Sequence, residues 1–186
     1  VVPGNIKNLH TSLTNSKDTA QILKRIIGNS IFNGQIFQIA NPQKVTWGDV
    51  IQIYSQCIEE YNGRKMKICY AKDTSDIEIA FNNKYRIKYD GLVDRTFDDS
   101  SVTFLMKGTN FSWTPLDVGL TRCVRSALMQ SNRMVQNYSI EGLYDRMTGE
   151  FTCLLKIPGV KNRFKYLLHR IFRENTIKRI KYFIHR

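Results

Sequence analysis

The sequence predicts a small α/β unit followed by a basic helical tail. Three observations lead there. Stretches of helical periodicity alternate with two short strand-like runs through the first two thirds of the chain. Helix-start and helix-stop residues fall at the ends of those stretches. Positive charge is concentrated at the far end.

The chain has 186 residues, with an apolar fraction of 42% and an aromatic fraction of 11%, which suits a folded core rather than a disordered chain. It opens on Val1 rather than Met, so the reading expects a trimmed chain whose start is no natural boundary. Cys57, Cys69, Cys123 and Cys153 form no CxxC pair and no histidine spacing suited to zinc. They read as single, buried and inert side chains of a reducing compartment. No metal site is expected. No signal peptide and no membrane-length apolar run are present, so a cytoplasmic location is the expectation.

The elements follow in order. Asn15 and Ser16 cap a helix from Lys17 to Ile27, with Ile22, Leu23, Ile26 and Ile27 as its apolar face, and Gly28 stops it. Gln35 to Ile39 reads as a strand. Thr46 caps a helix from Trp47 to Tyr61 that turns Val50, Ile51, Ile53, Tyr54 and Cys57 inward, and Asn62-Gly63 ends it. Met66 to Tyr70 is the second strand. A short helix starts at Thr74 or Ser75 and runs through Phe81. Asp98 caps another from Ser100 to Met106. Thr114-Pro115 opens the last helix of the unit, which reaches Gln130: a capping hydroxyl, then proline where a missing N–H costs nothing. Two strands are too few for an independent sheet, so they are expected to pair with strands elsewhere.

Net charge is +12, and residues 156 to 186 carry ten Lys or Arg against the single acid Glu174, so +9 of it lies in the tail. Asn162 to Arg186 is helix-compatible. Phe164, Leu167, Leu168, Ile171 and Phe172 form one apolar stripe, and Ile177, Ile180, Phe183 and Ile184 another, with a phase break near Asn175-Thr176. Three readings fit this pattern: a helix packed on another domain or subunit, an interfacial helix on an anionic membrane, or a nucleic-acid contact. No nucleic-acid motif accompanies the charge, so that last partner is not expected.

Five fragments in order resemble the substrate region of the extended short-chain dehydrogenase/reductase family. They are Leu9 to Leu13 with Asp18-Thr19-Ala20, Gly34 to Ala40, Val45 to Ile51, Asp94 to Ser100, and Thr114 to Leu120. The likeness covers residues 9 to about 130, roughly two thirds of the chain. It implies residues 1–135 as the substrate-binding portion of an NAD-dependent sugar-nucleotide epimerase or dehydratase, and 136–186 as a basic amphipathic extension. It further implies a nucleoside-diphosphate sugar as substrate, NAD or NADP in the full-length enzyme, and a Tyr-Lys acid/base pair in the family mechanism. The phosphate-binding GxxGxxG loop is absent, so the Rossmann core is absent and no cofactor is expected on these residues. One YxxxK match, Tyr61 to Lys65, is broken by Asn62-Gly63 and reads as a decoy, so no catalytic residue is assigned. Ser101 stands where the family often has lysine.

Two phosphates on a substrate need cations. Arg95 is the first candidate, followed by Arg86 and Lys88, with an exposed basic residue as the alternative for each. His10 lines the cleft or serves as a structural hydrogen-bonding residue. Asp98 reads as a cap, and Trp47 and Trp113 as core residues or stacking platforms. The expected function is the substrate side of a sugar-nucleotide enzyme, inactive alone and engaged in cell-surface polysaccharide synthesis. The competing one is a non-catalytic binding module whose tail contacts a membrane surface or an acidic partner.

Overall fold

The computed structural model describes residues 1–71, 77–78, 89, 92–130, 136–173, 176–179 and 182. The protein mixes helix and strand, with helix dominant and the strands very short. It folds as two compact units. The central unit comprises Asn5–Met66 and Leu92–Ser131. The terminal unit comprises Val1–Gly4, Lys67–Gly91 and Asn132–Arg186. Among the described residues no helix is long and apolar enough to cross a membrane.

The central unit holds strands β2 (His10–Thr11) and β3 (Val45–Thr46), and helices α1 (Ser16–Ile26), α2 (Trp47–Asn62), α3 (Ser100–Leu105) and α4 (Leu116–Met129). The terminal unit holds β1 (Val2–Pro3), β4 (Tyr70–Ala71), α5 (Tyr138–Thr148) and α6 (Val160–Ile171). β2 and β3 pair antiparallel, His10 opposite Thr46 and Thr11 opposite Val45. β1 and β4 pair parallel, Val2 opposite Tyr70.

Local chemistry explains the helix ends. The Asn15 side chain accepts from the Lys17 N–H and starts α1. Thr46 and Asp49 form a reciprocal capping box that starts α2. Gly63, at φ +69°, takes the left-handed conformation that stops it. The start of α4 departs from expectation. Thr114 does not cap it: Pro115 holds the cap position, and the free Leu116 N–H donates to Gln43 Oε1 at 2.9 Å.

Thr114 is instead gripped by a buried carboxylate. Its N–H donates to Asp18 Oδ2 at 2.9 Å and its hydroxyl to Asp18 Oδ1 at 2.6 Å. Asp18 is 1% exposed and sits in the first turn of α1, where the helix dipole favours negative charge. The buried Asn41 accepts from Gln43 N–H through Oδ1, and its Nδ2 donates to the Thr114 carbonyl. Two apolar clusters pack around this polar centre. Ile22, Val102 and Leu105 gather Ile26, Phe32, Phe37, Ile39, Phe111 and Trp113. Val45, Val50 and Leu116 gather Leu13, Trp47, Ile53 and Leu120.

Several expectations need correction. Gln35 to Ile39 is not a strand: Ile36 is fully exposed, while Phe37 and Ile39 turn into the first cluster. Gln35 closes a turn onto Phe32 and Ile31, which prevents the run from starting as a straight strand. Met66 to Tyr70 yields only β4, because its partner β1 is two residues long. Leu23 and Ile27 are exposed, so the buried stripe of α1 is narrower than four residues. Tyr54 of α2 is exposed too. The helix expected from Thr74 or Ser75 to Phe81 lies largely outside the described residues, of which Ile77 is buried and helical. Cys123 and Cys153 are exposed rather than buried, and all four cysteines are free thiols.

The tail is not one helix. α6 ends at Ile171, where Phe172 turns extended at ψ 147°, three residues before the expected phase break. α5 is a helix that the sequence reading did not assign. Its contact with α6 is made at Gly142: a β-carbon there would collide with the Tyr166 carbonyl oxygen and lie 3.1 Å from the Arg170 nitrogen. Tyr166 is fully buried, and its hydroxyl donates to Asp145 Oδ2 at 2.6 Å; burial first and that bond next raise the phenol above its ordinary pKa. Asp145 also receives the Thr152 N–H and hydroxyl. Arg146 donates to the carbonyls of His169 and Phe172, at the negative end of α6.

Two substitutions test these cores. Asp18→Ala leaves the half-buried N–H and hydroxyl of Thr114 without their acceptor and is expected to cost about 2 kcal/mol in urea unfolding. Asp117→Ala, on the exposed first turn of α4, should stay within about 0.5 kcal/mol. Equal losses would rule out the Asp18–Thr114 bonds. Gly→Ala inside a helix ordinarily gains about 1 kcal/mol. At Gly142 the clash reverses the sign, and a net loss of about 2 kcal/mol is expected by thermal unfolding.

Candidate functional site

The candidate site is built on the ladder of β2 and β3. Side chains of adjacent strand residues point to opposite faces, so Thr11 is buried while His10 reaches partly into solvent. The chain at Asp94-Arg95 runs alongside β2. The His10 N–H donates to Asp94 Oδ1 at 2.6 Å, and the His10 ring Nδ1 lies 2.9 Å from the same oxygen. The Arg95 N–H donates to the His10 carbonyl at 3.3 Å.

These bonds hold the Asp94 carboxyl below its ordinary pKa, the main-chain bond from His10 contributing most and the ring bond next. An ionised carboxylate only accepts, so the proton between the two groups belongs to Nδ1. In the neutral ring, Nε2 then presents a lone pair, and no described residue bonds it. A second carboxylate lies close. Asp49 Oδ2 accepts from the Thr46 N–H and hydroxyl, both at 2.8 Å. Those bonds depress its pKa, the backbone bond first, with a smaller contribution from the proximity of His10.

The sequence-derived candidates fare differently. His10 and Arg95 come together, joined through the backbone, and Arg95 is half-buried. Arg86 and Lys88 lie outside the described residues. Asp98 serves the helix start: its carboxylate accepts from the Ser100 N–H at 3.0 Å and the Ser100 hydroxyl at 2.6 Å. Tyr61 ends on the last turn of α2, and Lys65 falls beyond the Gly63 cap, so the YxxxK pair does not share a helix. Trp47 packs in the second cluster, and Trp113 in the first with its indole N–H 3.3 Å from Asp99 Oδ2.

Asp94 and Asp49 are the partners that sequence reasoning passes over. Asp94 lies 84 residues from His10, and no local spacing relates the two. Only its place beside Arg95 marks it. A separate open concavity of about 640 Å³ follows α4, lined by Asp117, Thr121, Arg122 and Arg125, with Arg125 paired to Glu60 at 2.8 Å. Among the described residues no cluster of His, Cys, Asp and Glu is arranged to hold a metal ion.

Chemically, a histidine fixed by a carboxylate can accept from or donate to a hydroxyl group, and the structure ties Arg95 to it through the main chain. No protein-family model, curated protein or solved structure matches this chain.

Asp49 and Asp94 both titrate below their ordinary values. The stability they contribute is therefore present above about pH 4 and lost as pH falls through their depressed pKa values. Urea unfolding followed by the fluorescence of Trp47 and Trp113 is expected to weaken on acidification below about pH 4. Asp94→Asn should flatten that fall. Superimposable pH profiles would show that the His10–Asp94 contact does not form in solution.

Proposed function

We propose that the central unit is the substrate-side part of an NAD(P)-dependent nucleoside-diphosphate-sugar epimerase or dehydratase of the extended short-chain dehydrogenase/reductase type, acting in cell-surface polysaccharide synthesis. One observation carries this reading. The five fragments that resemble the family lie in one compact unit, and several are hydrogen-bonded to each other. His10 binds Asp94, Asp18 binds Thr114, and Thr11 pairs with Val45.

On this reading Arg95 meets the phosphates and His10 Nε2 meets a sugar hydroxyl. The dinucleotide does not fit the present residues. The sequence has no glycine-rich phosphate loop, and the parallel pair β1–β4 is two residues long and belongs to the other unit. On this reading NAD or NADP, and the Tyr-Lys pair with it, are held by a part of the enzyme that these residues do not include.

The coding sequence upstream of Val1 tests the reading. A glycine-rich βαβ unit followed by a YxxxK helix is the expected finding. A stop codon or an unrelated domain there overturns the proposal. In the extended protein, Arg95→Ala is expected to raise KM for the sugar nucleotide about tenfold with kcat little changed, because a phosphate contact binds ground and transition states alike. An unchanged KM removes Arg95 from the site.

A further inference from the structure

α6 has two faces, and the apolar row is not the one that packs inward. At 100° per residue, Tyr166 and Arg170 share the side that meets Gly142 of α5. Val160, Phe164, Leu167 and Ile171 follow at steps of four, three and four, forming a straight row on another side. Val160 is 80% exposed, Phe164 59% and Ile171 62%, with Leu167 half-buried. Leu155, just ahead of the helix, is 82% exposed. The core contact of the helix is made by Tyr166, and three of the four row residues stand mostly in solvent.

Its surroundings are cationic. Lys156, Lys161 and Lys165 are exposed, the last two along one flank of the row. From Phe151 to Arg173 the chain contains no Asp or Glu. Two of the tail's arginines are turned to structure instead: Arg163 Nε donates to the Ile157 carbonyl and Arg170 Nε to the Glu150 carbonyl, both at 2.9 Å. The lysines have long apolar stems and strongly hydrated heads, which suits them to flank an apolar row that enters a lipid interface.

We propose that the outer face of α6, the row Val160–Phe164–Leu167–Ile171 flanked by Lys156, Lys161 and Lys165, docks on an anionic lipid surface. Charge selects the occupant. A second copy of the same face would bring like charges together without one acid to offset them. A row on the exposed flank of a helix offers no pocket for a partner's side chains, whereas acyl chains flow around it and headgroup phosphates meet the lysines. The inference concerns the terminal unit and holds whether or not the central unit binds a sugar nucleotide.

The test is co-sedimentation of the full chain with vesicles of phosphatidylcholine alone and of phosphatidylcholine with phosphatidylserine. The expected result is at least about tenfold tighter binding to the mixed vesicles, weakened by added salt. The pair Phe164→Gln and Ile171→Gln, and separately the pair Lys161→Glu and Lys165→Glu, should each weaken it about tenfold while helicity by circular dichroism stays unchanged. Should a pair lose helicity, Val160→Gln at the first turn gives the same reading. Equal binding to both vesicle types, no sedimentation with either, or indifference to the apolar substitutions overturns the proposal. So does a dimer in sedimentation equilibrium that Phe164→Gln and Ile171→Gln abolish, or capture by polyglutamate without any vesicle binding.

Discussion

The buried carboxylate of Asp18 is the constraint around which the central unit is arranged. A charge removed from water is costly unless every oxygen is met by a donor and the local field is favourable. Asp18 obtains both from its position in the first turn of α1 and from the N–H and hydroxyl of Thr114. That requirement places Thr114 against α1 and so fixes where α4 begins. Asn41 and Gln43 then complete the polar shell, one on the Thr114 carbonyl and the other on the first N–H of α4. The two apolar clusters close around an arrangement whose geometry is set by hydrogen bonds, which have direction, rather than by apolar contact, which has little.

The terminal unit solves a similar problem by different means. α5 and α6 approach so closely at Gly142 that a methyl group cannot be inserted, and Asp145 gathers three donors, including the Tyr166 hydroxyl, at the same crossing. Arginines finish the job at the helix ends and loops, with Arg146, Arg163 and Arg170 all donating to main-chain carbonyls. Part of the positive charge that looks like a solvated face in the sequence is therefore structural. The remainder stands beside apolar side chains that are largely exposed.

What was legible in the sequence was local. Asn15, Thr46 and Gly63 act within four residues of themselves, and the helices they bound appear where expected. Contacts across 84 or 96 residues leave no spacing to read, so Asp94 as the partner of His10 and Asp18 as the partner of Thr114 emerge only in three dimensions. Thr114-Pro115 has the composition of a cap, yet the hydroxyl found a stronger, charged acceptor. α5 went unread although Ile140, Leu143 and Met147 follow at steps of three and four, and its closest approach to α6 is at a glycine, which adds nothing to an apolar pattern. For α6 the periodicity left the direction of the apolar stripe open: Phe164 and Ile171 share a face, while Tyr166 and Arg170 lie on the side that meets α5.

The 96-residue separation between Asp18 and Thr114 has a consequence for biosynthesis. The ribosome releases the first partner long before the second, and at about 5–20 residues per second the interval is roughly 5 to 20 s. Throughout it, α1 carries a carboxylate that still belongs in water, and Ile22 beside it awaits Val102 and Leu105. The excursion through residues 67–91, which joins the other unit, lengthens that wait. Completion of the central unit is thus tied to emergence of the stretch around residue 114. A nascent chain paused before that point holds an open, adhesive surface of the kind that chaperones engage.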